Sequence, residues 1–134
     1  DPLALQYFDN AIRVNPQSLE AHHAKGMHLQ RLGESRQALT VYKKILEFNP
    51  RYYNASYNQG YIYLEQISKY DSAAYHFTEA IQNGPERYFT AVYNRGLAQE
   101  RLGNLQKARA DYEQALAWNP QYDLAALALE RIGK

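Results

Sequence analysis

The chain has 134 residues, a mass of 15.5 kDa and no cysteine, and its 15 Lys and Arg nearly balance 14 Asp and Glu. This composition excludes disulfides, thiolate catalysis and cysteine zinc sites, and it lacks the basic surplus typical of proteins that bind nucleic acid or anionic membranes. No apolar run approaches the ~18 residues of a membrane span, so we expect no membrane insertion. From the length we expect one folded domain, residues 1–134, and from the charge balance we expect no nucleic acid as a partner.

Apolar spacing and loop residues predict eight helices. In the third of them, Ala38, Tyr42 and Ile45 follow the three-and-four spacing of an amphipathic helix, and Asn49-Pro50 ends it. Asp1 is expected to cap the first helix, ahead of Pro2. In chain order, the predicted helices are 2–14, 19–32, 35–48, 53–66, 71–83, 88–102, 105–118 and 122–132.

A period of 34 to 35 residues organises these helices into pairs. It is set by Pro16, Pro50, Pro85 and Pro120, and an alanine followed four residues later by an aromatic shares it. These alanine and aromatic residues are Ala4/Phe8, Ala38/Tyr42, Ala73/Phe77 and Ala108/Tyr112. The period predicts full repeats at 17–50, 51–85 and 86–120. They are preceded by the second half of a truncated repeat (1–16) and followed by a terminal helix (121–134).

Glycines recur at spacings of 34 and 36 residues. The middle repeat carries one extra residue in its turn at 67–71, and a second extra residue follows Pro85. Gly26, Gly60 and Gly96 fall inside predicted helices, where glycine costs about 1 kcal/mol relative to alanine. We expect two helices to cross closely there, with the periodic alanine of the second helix (Ala38, Ala73 or Ala108) facing the glycine. The aromatic residue four positions later would reach the next repeat. One helix pair cannot bury its apolar face alone, so the pairs must stack.

This pattern resembles the tetratricopeptide repeat, as in Gly26…Ala38-x3-Tyr42…Pro50 and its two later copies. The resemblance implies an all-α fold, a right-handed superhelix of stacked antiparallel helix pairs, also called an α-solenoid. The family's Trp near the start of the first helix is replaced by His22, Ser56 and Val92, which bears on the packing between first helices.

The sequence offers no candidate catalytic residue, metal site or cofactor site. His22, His23 and His28 lack the i,i+4 spacing of a helical metal pair, and no paired carboxylates stand at a constrained spacing. Every glycine has a structural explanation, so none remains for a phosphate-binding loop. We therefore expect a protein that is not an enzyme.

In the superhelix that the resemblance implies, the first helix of each pair lines a concave groove, and helical periodicity selects its inward residues. Three tyrosines would form an aromatic ladder there, and asparagine amides would hold an extended peptide backbone. The alternative is that several of these tyrosines only pack between adjacent first helices. The candidate partner-binding residues are His23, Met27, Asn54, Tyr57, Asn58, Tyr61, Tyr93, Asn94, Leu97 and Arg101.

These residues predict a protein-interaction scaffold that binds a peptide segment of an unidentified protein partner. Family members that hold a chaperone's C-terminal carboxylate use Lys, Arg and Asn, and of that set only Asn58 is present here. The positions of the cations carry His23, Thr90 and Asn94, so we do not expect that specificity.

Two alternatives stay open. The chain could be a structural repeat segment that self-associates head to tail through its terminal helices. The last helix is too apolar for a solvated cap at Leu124, Leu127, Leu129 and Ile132. It could also be an accessory or sensor domain of a larger protein, since Asp1-Pro2 is interpreted as a boundary inside a longer chain. The sequence does not fix the compartment: the cytoplasm is the default, and a periplasmic or secreted location stays open.

Overall fold

The computed structural model describes residues 2–133, and every regular element in that range is helical. Each helix packs against the next one along the chain, so antiparallel pairs stack in order into a right-handed superhelix, as predicted. The elements are α1 (Pro2–Val14), α2 (Leu19–Arg31), α3 (Ser35–Phe48), α4 (Tyr53–Tyr61), a π-helical turn that continues α4 (Ile62–Ile67), α5 (Tyr70–Asn83), α6 (Phe89–Arg101), α7 (Leu105–Trp118) and α8 (Asp123–Ile132). These bounds confirm the predicted helices to within one residue at each end; the expected cap at Asp1 lies outside the described residues.

The mid-helix glycines create the space for a buried aromatic ring. A Cβ atom built on Gly26 would lie 2.7 Å from the Tyr42 ring, and one on Gly60 would lie 2.8 Å from the Phe77 ring. The ring of the same helix pair is therefore the nearest neighbour of the glycine, whereas we expected the alanine of the second helix in that place. Ala38, Ala73 and Ala108 are fully buried beside these rings.

Two of the three buried rings carry a hydroxyl, and each hydroxyl has an acceptor four residues after the glycine. Tyr42 Oη donates to Gln30 Oε1 at 2.8 Å, and Tyr112 Oη donates to Glu100 Oε1 at 2.7 Å. The ring without a hydroxyl, Phe77, has the apolar Leu64 at that position, in the same core cluster.

The extra residue of the middle repeat is absorbed by the π-helical turn. The turns after α2 and α6 are closed by Gly33 and Gly103 in the left-handed region, with φ of 78° and 85°. In the middle pair Ser68 takes this position with φ of 63°, and the closing hydrogen bond from Lys69 N to Tyr63 O spans six residues. The corresponding bonds of the other two turns span five residues, so one residue has been added without changing the form of the turn.

The terminal helix α8 follows the register that Pro120 sets. It starts directly after Tyr122, and Ala125 and Ala128 are fully buried against the preceding pair. Arg131 Nη2 forms an ion pair with Glu100 Oε1 at 2.6 Å, and the Arg109 guanidinium donates to the carbonyl oxygens at the end of the helix. This helix is thus fixed to α6 and α7 by charge-assisted hydrogen bonds as well as by packing.

Candidate functional site

The ten candidate residues lie on the three first helices, α2, α4 and α6, but their side chains have different environments. His23, Tyr57 and Tyr93 are packed against other rings. Asn94 is buried and hydrogen-bonded. Only Met27 and Tyr61 are both apolar and substantially exposed, with 37% and 40% of their surface accessible.

The packed rings belong to a unit that occurs three times and that we call the ring triad. In each triad, a ring on a first helix lies between the aromatic ring of its own second helix and a tyrosine that precedes the next first helix. In the triad of the middle pair, the Tyr57 ring stacks on the Tyr88 ring with centroids 5.7 Å apart. Its centroid lies 5.5 Å from that of Phe77, and these two rings meet edge to face. The three triads are Tyr42–His23–Tyr52, Phe77–Tyr57–Tyr88 and Tyr112–Tyr93–Tyr122.

The third member of each triad was missed by the sequence analysis, although a signal for it was present. Tyr52, Tyr88 and Tyr122 each stand two or three residues after a periodic proline and immediately before a helix. The predicted ladder does not form, because Tyr57 and Tyr93 pack into separate triads. The alternative that such tyrosines pack between first helices describes these two residues better.

The triads present no charge to the groove near neutral pH. Burial raises the pKa of Tyr57 and Tyr93, and it raises the pKa of Tyr122 to about 12. Burial also lowers the pKa of His23, whose Nδ1 lies 3.1 Å from the Tyr52 hydroxyl. Burial thus disfavours the charged form of this histidine, so the ring is not a preformed cation for a carboxylate.

The three candidate asparagines differ in how much hydrogen-bonding capacity their amides have left. Asn94 Nδ2 donates to Tyr57 Oη at 2.8 Å, so this amide holds a triad and is 8% exposed. The Asn58 amide is half-buried next to the Tyr42 hydroxyl. Asn54 is half-buried, and its side chain makes no hydrogen bond with any residue between 2 and 133. Asn54 thus has its full hydrogen-bonding capacity left for a ligand, and Asn58 has the part that its contact with the Tyr42 hydroxyl leaves.

One cleft gathers the accessible candidates. It has a volume of about 310 Å³ and is bordered by Met27, Asn58 and Tyr61, together with Gln30, Arg31 and Gln66. Leu97 is half-buried between two core clusters farther along the groove. Arg101 is exposed at the groove edge, where its guanidinium lies 5.6 Å from the centroid of the Tyr70 ring and donates to Tyr70 Oη at 3.2 Å. We call the cleft bordered by Met27, Asn58 and Tyr61 the groove cleft.

Within residues 2–133, no group of three or more His, Asp or Glu side chains could hold a metal ion. None of the helices in this range is long and apolar enough to cross a membrane.

Comparisons with known proteins agree with this architecture. Two family models described as tetratricopeptide repeat match residues 23–88 and 89–122. The human tetratricopeptide repeat protein 6 is 29% identical over 157 aligned positions, which cover 91% of this chain and only 30% of that protein. The second TPR domain of human RPAP3, solved in complex with the HSP70 peptide SGPTIEEVD, is 27% identical with a TM-score of 0.78; the match covers 84% of this chain and 92% of that one. MamA (residues 41 to the end) from Desulfovibrio magneticus RS-1 is 26% identical with a TM-score of 0.83, over 90% of this chain and 67% of that one.

Proposed function

Because this chain belongs to the tetratricopeptide repeat family, we propose that it is a non-enzymatic interaction scaffold whose concave groove holds a segment of a partner protein. The groove cleft is the observation that carries the proposal. Met27 and Tyr61 expose apolar surface there, and the Asn58 amide lies beside them. A peptide would bury an apolar side chain against Met27 and Tyr61 while Asn58 and Asn54 bind its main chain.

The charges of the groove favour an internal segment over a terminal carboxylate. Arg31 is the one cationic side chain among the residues that border the groove cleft. Burial lowers the pKa of His23 and so disfavours its charged form, and Asn94 donates a hydrogen bond to Tyr57. A free carboxylate buried without two or three charge-assisted hydrogen bonds loses more hydration than it regains, so this groove binds chain segments that carry no end charge.

A peptide selection followed by quantitative binding tests this function. Random peptides displayed on phage are selected against the domain, and the best ones are synthesised with a free and with an amidated C terminus. Met27→Ala combined with Tyr61→Ala should weaken their binding by about tenfold or more, because the anchor side chain loses its apolar contacts. The two forms of each peptide should bind alike.

Tyr75→Ala is the matched control, because Tyr75 is an exposed tyrosine on α5, outside the groove, with 61% of its surface accessible. It should leave the affinity unchanged. Equal binding to the wild type and to the groove variant, with both folded, would contradict the proposal.

A second candidate function is head-to-tail self-association. Leu124 and Leu127 on α8 are 51% and 58% exposed, and Tyr7 on α1 is 71% exposed, so both ends of the described chain present apolar surface. Light scattering over a range of concentrations tests this function, with Leu127→Glu expected to abolish any dimer. A monomer at every concentration would exclude it.

A further inference from the structure

A depression larger than the groove cleft lies outside the groove. It has a volume of about 1030 Å³ and is formed by the first half of α3 and the π-helical turn with the residues after it. Gln66 separates it from the groove cleft: its Oε1 accepts a hydrogen bond from Ser35 Oγ at 2.6 Å, and its Nε2 donates to Gln30 O at 3.1 Å. We call this feature the junction depression, because it lies where the helix pair α2/α3 meets the helix pair α4/α5.

The junction depression has a cationic rim. Arg36, Lys43 and Lys69 border it, and Glu34 is the single acidic residue among its lining residues. None of these three cations has an ion-pair partner within residues 2–133. Below the rim, Leu39, Tyr63 and Ile67 supply an apolar floor.

The cationic rim is a property of this junction and is not imposed by the repeat. The residues that correspond to Arg36, Lys43 and Lys69 at the next junction are Asp71, Thr78 and Asn104, counted from the periodic alanines and turns. The depression near that next junction is about 270 Å³ and is lined by two cations. Its Arg95 is neutralised by Asp111, with two hydrogen bonds of 2.9 and 3.0 Å, whereas its Lys107 has no ion-pair partner within residues 2–133. The junction depression therefore has three unpaired cations at its rim, whereas the depression near the next junction has one.

We infer that the junction depression is a second interaction surface, one that takes an acidic, extended segment of a partner protein. Alternate side chains of an extended segment point to opposite sides, so carboxylates can meet the rim while small apolar residues between them face the floor. The unpaired cations provide the charge complementarity, and the apolar floor favours a polypeptide over a nucleic acid. This inference does not rest on the groove, because the two surfaces share only Gln66.

The test uses an end-blocked peptide of alternating Glu and Ala, about ten residues long, which spans roughly 33 Å when extended. Its binding is followed by NMR through the backbone amide shifts of the domain. We expect the shifts to concentrate at residues 34–43 and 63–69 and to shrink as salt is raised, since exposed charges are screened. The matched peptide of alternating Gln and Ala should not bind.

Charge-neutralising variants separate this site from general attraction. Lys43→Gln combined with Lys69→Gln should weaken binding about fivefold to tenfold, because each lost contact of this kind is a partly exposed ion pair. The control is Lys44→Gln combined with Lys107→Gln, which removes the same charge from exposed positions outside the depression and should change the affinity less than twofold.

Three results would overturn the inference: an equal loss in both double variants, shifts that centre on Met27 and Tyr61, or no binding at low salt.

An oligouridylate of similar length serves as a competitor. If it displaces the peptide at equal or lower concentration, the surface is a general polyanion site and the assignment to a protein segment is wrong.

Discussion

Three buried rings occupy the same place in successive helix pairs, and the residue opposite each ring changes with the chemistry of the ring. Tyr42 and Tyr112 have Gln30 and Glu100 as hydroxyl acceptors, whereas Phe77 has Leu64 at the equivalent position. A buried hydroxyl without an acceptor costs roughly 1–3 kcal/mol, and so does a buried amide without a partner. Ring and opposing residue must therefore change together.

This pairing predicts a strong coupling between positions 77 and 64. Phe77→Tyr alone should lower the free energy of unfolding by about 1–3 kcal/mol, since its hydroxyl meets Leu64. Leu64→Gln alone should cost at least as much, because it places an amide against the Phe77 ring. The double variant should recover about 1 kcal/mol or more relative to the sum of the single changes, as measured by urea denaturation in a double-mutant cycle. Strict additivity would show that the two residues do not meet.

At the scale of elements, the π-helical turn shows how a one-residue insertion is tolerated. The extra residue leaves Ser68 at the position that Gly33 and Gly103 occupy, and its φ of 63° is unfavourable for a residue with a Cβ atom. The π-helical turn also contributes to the core, because its Ile62 and Leu64 side chains are both buried.

Ser68→Gly should therefore stabilise the domain, by about 0.5–1 kcal/mol in urea denaturation, because glycine adopts this conformation without strain. Thr40→Gly is the contrasting control, since Thr40 is exposed within α3 and has ordinary helical geometry. It should destabilise the domain by a few tenths of a kcal/mol or more. A loss of stability in Ser68→Gly would mean that Ser68 is not held in the left-handed region in solution.

Helix ends could be predicted from the sequence because local residues set them. Asn49-Pro50 and Gly33 act on the backbone directly, whatever packs around them. The π-helical turn could not be predicted, since an added residue can also lengthen a loop at similar cost. The ring partners could not be predicted either: whether Tyr57 faces a ligand or Tyr88 depends on the angle between helix pairs, which no local pattern encodes. Met27 and Tyr61 could be named from the sequence because helical periodicity alone selects the inward positions of a first helix, and both side chains are exposed in the structure.

At the scale of the whole molecule, charge links the terminal helix to the rest of the stack. The hydrogen bond from Arg131 holds the pKa of Glu100 below its usual value, and the Tyr112 hydroxyl adds to this effect. A carboxyl whose pKa is lowered by folding stabilises the protein above its unfolded pKa of about 4.3 and loses that contribution as the pH falls through its folded pKa.

Acid should therefore weaken the docking of α8, and Glu100→Gln should remove part of this pH dependence. Between pH 7 and pH 3, the free energy of unfolding of the wild type should fall more steeply than that of Glu100→Gln. Glu113→Gln is the control, because Glu113 is exposed on α7 and has no ion-pair partner among the described residues; its curve should follow the wild type. Parallel curves for the wild type and Glu100→Gln would show that the ion pair contributes no pH-dependent stability.

The ring triads link one helix pair to the next, so we expect them to contribute to unfolding of the stack as a unit. Tyr88 is central in this respect: it stacks on Tyr57 of the preceding pair and meets the edge of Tyr53 at 5.5 Å. The stability of a stacked-repeat protein is approximately a sum of repeat terms and nearest-neighbour interface terms. Removing the Tyr88 ring weakens one interface term and leaves the two halves of the chain largely intact.

Tyr88→Ala should therefore lower the free energy of unfolding by about 2–4 kcal/mol and also make unfolding less cooperative. Hydrogen exchange should then show different protection before and after the junction, while the wild type exchanges as one unit. Tyr122→Ala, in the last triad, should release only α8, because that ring joins a single helix to the stack. If Tyr88→Ala lowered protection uniformly along the chain, the coupling would be spread over the whole interface, and the triads would act as packing without a special part in cooperativity.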